Sequence, residues 1–581
     1  MGRKSALVRS LSLGAAIPLL LPLSKAAAQC APGSPSPGDA VVCSGVDPDG
    51  FTTALPVDDI TITVLPGAQV FSPDGAPASA AFALSGNGVS LISDGSISGS
   101  GAANAITTSL SDGFSLENNG LIESIDSAAI DAIVADNISI VNNLGAVIRS
   151  ANATSTINIF DGPALSSVSS IDNAGLIEAL AGDAVTFQGD MDDGSFSVVN
   201  TGQISAANIG VDIGYFGSAG GGVDLVLENS GDITGGAGNA AVVISSFAAS
   251  GSSTRIDNSG LITAGGGLAL QDETVVVNNT ADGEIFALDA DGVAVDIDDS
   301  TADTTATINN SGLIEAFGDD GVAVEVVSNA AAVFNDGVIR AAGANGQAVS
   351  LGEGGTNDAT LVNSGLITGV LGAVEINTVD SILFENSGQI DGLVALSTFG
   401  GAGGTIDFDN SSDINGDVIL FSNSVTAVNN GVISGVFDAS NVTGGVSLTN
   451  AGSMGDTLLS LGDDVVNQVA GGVFSGLLDA GVGFDFLSID TGGNPFTLNG
   501  DTVIGFEQID KTGAGLLTIE SDLALDGDNT AFFRVSEGAV LLPGDASLAI
   551  GIGVLDGGGS LLIDPGAEFR AAGSITGNVF V

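Results

Sequence analysis

Hydrophobic and polar positions alternate in short runs along this chain, and the runs recur at a regular interval. The clearest unit is Asn-x-Gly-x-Ile, found at Asn118, Asn173, Asn200, Asn229, Asn258, Asn310, Asn335, Asn363, Asn386 and Asn429. Degenerate copies stand at Asn143, Asn279, Asn410 and Asn450, so the span from Asn118 to Asn450 divides into intervals of about 25 residues. Between copies lies a stretch of period-2 character, such as GVAVDI at 292–297, GVAVEVV at 321–327 and GQAVSL at 346–351. A third apolar triplet, such as Leu225-Val226-Leu227 or Ile382-Leu383-Phe384, comes just ahead of many of the Asn residues. Such alternation marks strands buried on one face. Three strands per repeat predict a three-sided coil. The expected fold is all-β: a right-handed parallel β-helix, an elongated solenoid rod of on the order of 20 coils and near 100 Å long.

The residue types fit that coil. Alternate side chains must enter a narrow interior suited to Val, Ile, Leu, Ala and Phe, and outward positions tolerate Asp, Ser, Thr and Asn. The recurring Asn is expected to bond neighbouring backbone and to stack on its counterparts, and the Gly to supply positive φ or close backbone approach. These are read as structural turn residues, not as a ligand site. Helix is not expected after the leader, because Gly recurs too often.

The ends differ from the repeats. Residues 1–28 read as an export signal: Arg3, Lys4 and Arg9 precede an apolar core from Leu11 to Leu23, followed by Ala26-Ala27-Ala28. The predicted organisation is a signal at 1–28, an N-terminal cap at 29–60, Asn-x-Gly-x-Ile coils at 61–480 and a different texture at 481–581. The only two cysteines, Cys30 and Cys43, fall in the cap and are expected to form a disulfide in an oxidising compartment.

Charge narrows the partners. Removing 1–28 takes four of the ten basic residues and none of the 69 acidic ones, leaving six positive groups against 69 negative. That field repels nucleic acid, which is not expected as a partner. With no His, the chain lacks a Ser-His-Asp triad and the commonest metal ligand. No catalytic residue, metal ligand or cofactor is predicted, and the chain is not expected to be an enzyme. The acidic runs Asp190–Asp193 and Asp289-Ala290-Asp291 could bind calcium weakly through oxygen ligands. The rival class is a β-helix polysaccharide hydrolase or lyase using acidic residues; a lyase resembling pectate lyase would want a basic residue clustered with calcium-binding acids, for which Arg149, Arg255 or Arg340 could serve within the Asn-repeat coils. Tyr215 and Phe216, the adjacent aromatics of the repeat region, are candidate contact residues beside a long loop.

From about residue 480, Gly505-Phe506-Glu507 and then Lys511-Thr512-Gly513-Ala514-Gly515-Leu516-Leu517-Thr518-Ile519 resemble the autotransporter-associated strand repeat with its K-x-G-x-G-x-L-T-L core. SEGAVLLPG at 536–544 and PGAEFRAAGSITGNVFV at 565–581 look like subsequent coils of the same kind. The resemblance implies the passenger of a bacterial autotransporter, exported through the inner membrane to the cell surface or exterior of a Gram-negative bacterium. It implies a structural or adhesive rod whose partners are host, matrix or neighbouring-cell surface components. It further implies an outer-membrane translocator barrel, a signature missing from this chain; a truncated passenger is preferred over a separately encoded barrel.

Overall fold

A computed structural model describes residues 29–580 apart from 54–55, 74–78, 110–111, 134–135, 161–166, 190–193, 217–221, 248–250, 299–303, 353–355, 400–402, 527–529 and 552–558. The export-signal segment and the acidic run at 190–193 therefore lie outside the described residues. The chain is all-β: 58% of it is strand, and parallel sheets stack as a β-solenoid of about 19 turns. At about 4.8 Å per turn this is a rod on the order of 90 Å long. Helix among the described residues amounts to a short 3-10 turn, Gly500–Thr502, and one further 3-10 residue, Gly403.

One coil shows the rule. Thr305–Asn310 lies in the first sheet, Leu313–Ala316 in the second and Val322–Val327 in the third. The next coil repeats them as Ala330–Asn335, Val338–Ala341 and Gln347–Leu351, parallel and in register, with Asn310 on Asn335, Ile314 on Ile339 and Val324 on Val349. Each coil thus satisfies its backbone groups on its neighbours, which leaves the interior free for apolar side chains. The first-sheet strands alternate inward and outward as the pattern predicts. The third-sheet strands do not: Ala323 and Val324 are both buried, as are Ala294 with Val295 and Ala348 with Val349. There the pairing skips a residue, as between Val322 and Val324, and the skipped position is the small Ala, which turns inward beside its neighbour.

The interior is organised in columns. The second-sheet column is isoleucine on every coil from Ile97 through Ile122, Ile148 and Ile177 to Ile414 and Ile433, then Met454. Aromatics fill the wider places, with Phe384 and Phe408 stacked at 5.0 Å and Phe187 on Phe196 at 4.2 Å.

The corner glycine follows from contact rather than from backbone sign. A Cβ on Gly260 would collide with the carbonyl oxygen of Gly231, and one on Gly231 with that of Gly202. Neither has positive φ. Positive φ enters where a corner is longer, as at Gly145 with φ 84°, which faces open space.

The N-terminal segment contributes the first coil, Ala40–Cys43, Val46–Asp47 and Phe51–Thr52. The exposed edge of Ala40–Cys43 is covered by an antiparallel bridge from Ala31 to Val42, which blunts an edge that would otherwise template pairing. The Cys30–Cys43 disulfide ties the bridge down.

From residue 481 the first sheet continues through Phe486–Asp490, Gln508–Thr512, Phe532–Val535, Ser560–Ile563 and Asn578–Phe580. The other two faces restart as separate sheets: Phe496–Leu498, Leu516–Ile519, Ala539–Leu542 and Glu568–Ala571 form one, and Leu523–Leu525, Ser547–Ile550 and Ser574–Thr576 the other.

Candidate functional site

The residue ending each first-sheet strand also closes the first corner. Asn310 is buried, and its Nδ2 donates to Asn335 Oδ1 at 2.8 Å, to Val338 O at 3.1 Å and to Gly312 O at 3.3 Å. Asn279 Nδ2 in turn donates to its Oδ1 at 2.8 Å. The same side-chain bond links Asn118, Asn142, Asn173, Asn200, Asn229, Asn258, Asn279, Asn310, Asn335, Asn363, Asn386, Asn410, Asn429 and Asn450, and the last donates to Gln468. A carboxamide is donor and acceptor at once and carries no charge, so the chain of bonds can run through any number of coils. The sequence-predicted Asn residues thus fall in one internal column, at strand ends. One of the degenerate copies is corrected: Asn142, not Asn143, occupies the column, and Asn143 bonds Asn119 at the exposed corner. Two extra residues in that corner, Leu144 and Gly145, displace the motif.

The column does not end at Gln468. Its register runs on through Ile489 to Lys511 and Val535. Lys511 is fully buried. Its Nζ donates to Gly513 O, two residues on, and at 2.7 Å to Glu537 O in the next coil. An Asn of the ladder satisfies the same two kinds of carbonyl. The K-x-G-x-G corner is therefore a charged counterpart of the Asn-x-Gly corner. Burial pushes the ammonium pKa down, against the pull of Glu537 and Asp490.

A column of charged groups stands at the other end of these strands, where the two regions join. Asp464, Asp485 and Glu507 sit just ahead of successive first-sheet strands and point inward, with Asp464 and Asp485 at 0% exposure. Asp464 accepts Val446 N–H at 2.6 Å, Ser460 N–H at 2.9 Å and Ser460 Oγ–H at 2.5 Å. Asp485 Oδ1 accepts Asp464 N–H at 2.7 Å, and Glu507 Oε2 accepts Asp485 N–H at 2.7 Å. Asp485 Oδ2 is buried with no hydrogen-bond partner. Burial pushes the Asp485 carboxyl up to about 7, aided by the charges of Asp464, Glu507 and Asp463. Asp464 and Glu507 are raised for the same first reason. Sequence reasoning passed over all three, although their spacing and their place before a strand repeat on consecutive coils.

The remaining candidates are dispersed. Arg149 pairs with Glu123 at 2.7 Å, Arg255 with Glu228 and Asp257, and Arg340 with Glu315, each across neighbouring strands or within one. Asp289 and Asp291 line an open depression of about 270 Å³ with Asp296, whose pKa burial and Asp298 push up to about 6. Asp212, three coils away on the same sheet, is likewise raised to about 6 by burial and Asp183. That separation is about 14 Å, beyond the roughly 5–9.5 Å that paired glycosidase carboxylates require. Among the described residues no group of three or more acidic or thiol side chains is placed to hold a metal ion. Tyr215 and Phe216 end the strand Val211–Phe216; their side chains and the loop at 217–221 lie outside the described residues.

Comparison with known protein families, with curated proteins and with solved structures finds no match.

Proposed function

We propose that this chain is the passenger portion of an autotransporter, exported to the surface of a Gram-negative cell, where it acts as a structural and adhesive rod. The observation that supports this most is the unbroken Asn column from Asn118 to Asn450. It rigidifies a long shaft through internal bonds alone, so the outward positions are free to vary with the surface they meet. Those positions are mostly small, polar or acidic, and the partners are host, matrix or neighbouring-cell components with cationic or hydrogen-bonding surfaces. The purified chain should bind matrix-coated surfaces or cells above an inert protein of similar charge, and proteolysis of the rod should remove the binding. Binding no greater than that of the inert protein would refute the adhesive role.

A polysaccharide hydrolase is the second reading, and Asp296 favours it, as a carboxyl with raised proton affinity in an acid-lined depression. Polysaccharide cleavage that disappears in Asp296→Asn would establish that reading in place of the first.

A further inference from the structure

The column formed by Asp464, Asp485 and Glu507 serves neither the Asn ladder nor any outward surface. It lies where the second and third faces give way to separate sheets. Successive coils are about 4.8 Å apart, so three inward carboxylates stacked at that spacing repel one another strongly when all are ionised. The first is amply hydrogen-bonded, but the middle one keeps a buried oxygen with no donor. The other titratable groups whose charges reach the column are Asp463 and Asp526, both acidic. The nearest base in sequence, Lys511, directs its ammonium to Gly513 O and Glu537 O at the next corner instead. With no basic side chain among the described residues directed at the column, a bound proton would neutralise it without any further group.

We infer that Asp464, Asp485 and Glu507 form a proton-operated latch, which holds the C-terminal coils to the ladder while protonated and loosens the junction when it ionises. The direction follows from linkage. Asp485, whose proton affinity is higher folded than unfolded, stabilises the fold fully below the ordinary Asp value of 3.8 and loses that contribution as pH rises through about 7; Asp464 and Glu507 act in the same direction. The junction is thus tightest in acid and loosest in mildly alkaline medium. The neutral Asn column, which has nothing to titrate, does not follow.

Hydrogen exchange on the full-length chain at pH 5.5, 7 and 8.5, corrected for intrinsic rates, tests this. Amides of 460–525 should lose protection by at least about tenfold between pH 5.5 and 8.5, while those of 305–351 hold theirs. Asp485→Asn keeps the acceptor for Asp464 N–H and places a neutral amide at the unpartnered position, so its junction should stay protected at pH 8.5. If that variant does not fold, Glu507→Gln should at least halve the logarithmic pH response. Uniform loss of protection along the rod, or an undiminished response in the folded variant, would overturn the latch. So would restoration of wild-type protection at pH 8.5 by calcium, which would make the column a cation site instead.

Discussion

The Asn-ladder coils and the coils after residue 481 share one first sheet but fill its corner column with opposite chemistry. In the ladder each corner holds a neutral carboxamide that donates to the next and accepts from the last. After Gln468 the column passes to Ile489 and then to the ammonium of Lys511, with three carboxyls stacked at the other end of the same strands. The same corner geometry, an inward polar group satisfying the carbonyl two residues on and one in the next coil, is met both ways. Architecture therefore does not dictate the chemistry of the column. A carboxamide makes a corner that can be copied without limit and is indifferent to pH; the ammonium of Lys511 fills one corner, between Ile489 and Val535, and is not copied on the coils beside it.

The largest effect should come from carrying charge into the ladder. Asn310→Asp sets a carboxylate against Gly312 O, Val338 O and Asn335 Oδ1, which now receive donors. We expect a loss of about 3–5 kcal/mol at pH 8. The carboxyl's pKa is raised in the fold, so stability should recover as pH falls toward 4. Urea denaturation at both pH values would measure this, and a pH-independent loss would erase the contrast between the regions. Gly260→Ala should cost about 1–3 kcal/mol, because the new methyl meets Gly231 O and a backbone carbonyl cannot step aside. Lys511→Met removes a buried charge but leaves the carbonyls of Gly513 and Glu537 without their donor, for a similar loss of about 1–3 kcal/mol confined to the C-terminal coils. Local hydrogen exchange would show whether the effect stays there. Arg149→Ala should change stability by no more than about 1 kcal/mol, since its pair with Glu123 is solvent-exposed.

The coil was legible because the tight Asn-x-Gly corner leaves no freedom: steric contact excludes a side chain at Gly260, and the buried column demands a carboxamide at Asn258. Where a corner is longer, as after Asn142, the motif slides by one residue and its register can be read only from the pairing. The acid column was not legible for another reason. Asp464, Asp485 and Glu507 are three of 69 acidic residues, and only their placement on successive coils separates them from solvated charge. Lys511 stood out as part of a motif, yet its burial and its kinship with the ladder Asn follow from the shared column alone.

The register is the central claim, and cysteine pairing reads it directly. Thr307 and Ala332 face outward and lie opposite each other on adjacent coils. At about 4.8 Å their separation suits a disulfide, and the native cysteines already pair with each other. Thr307→Cys with Ala332→Cys should cross-link spontaneously in air, whereas Thr307→Cys with Phe334→Cys, offset by two residues on the same face, should remain reduced. Equal cross-linking in the two pairs, or cross-linking only in the offset pair, would contradict the in-register parallel stack on which the ladder depends.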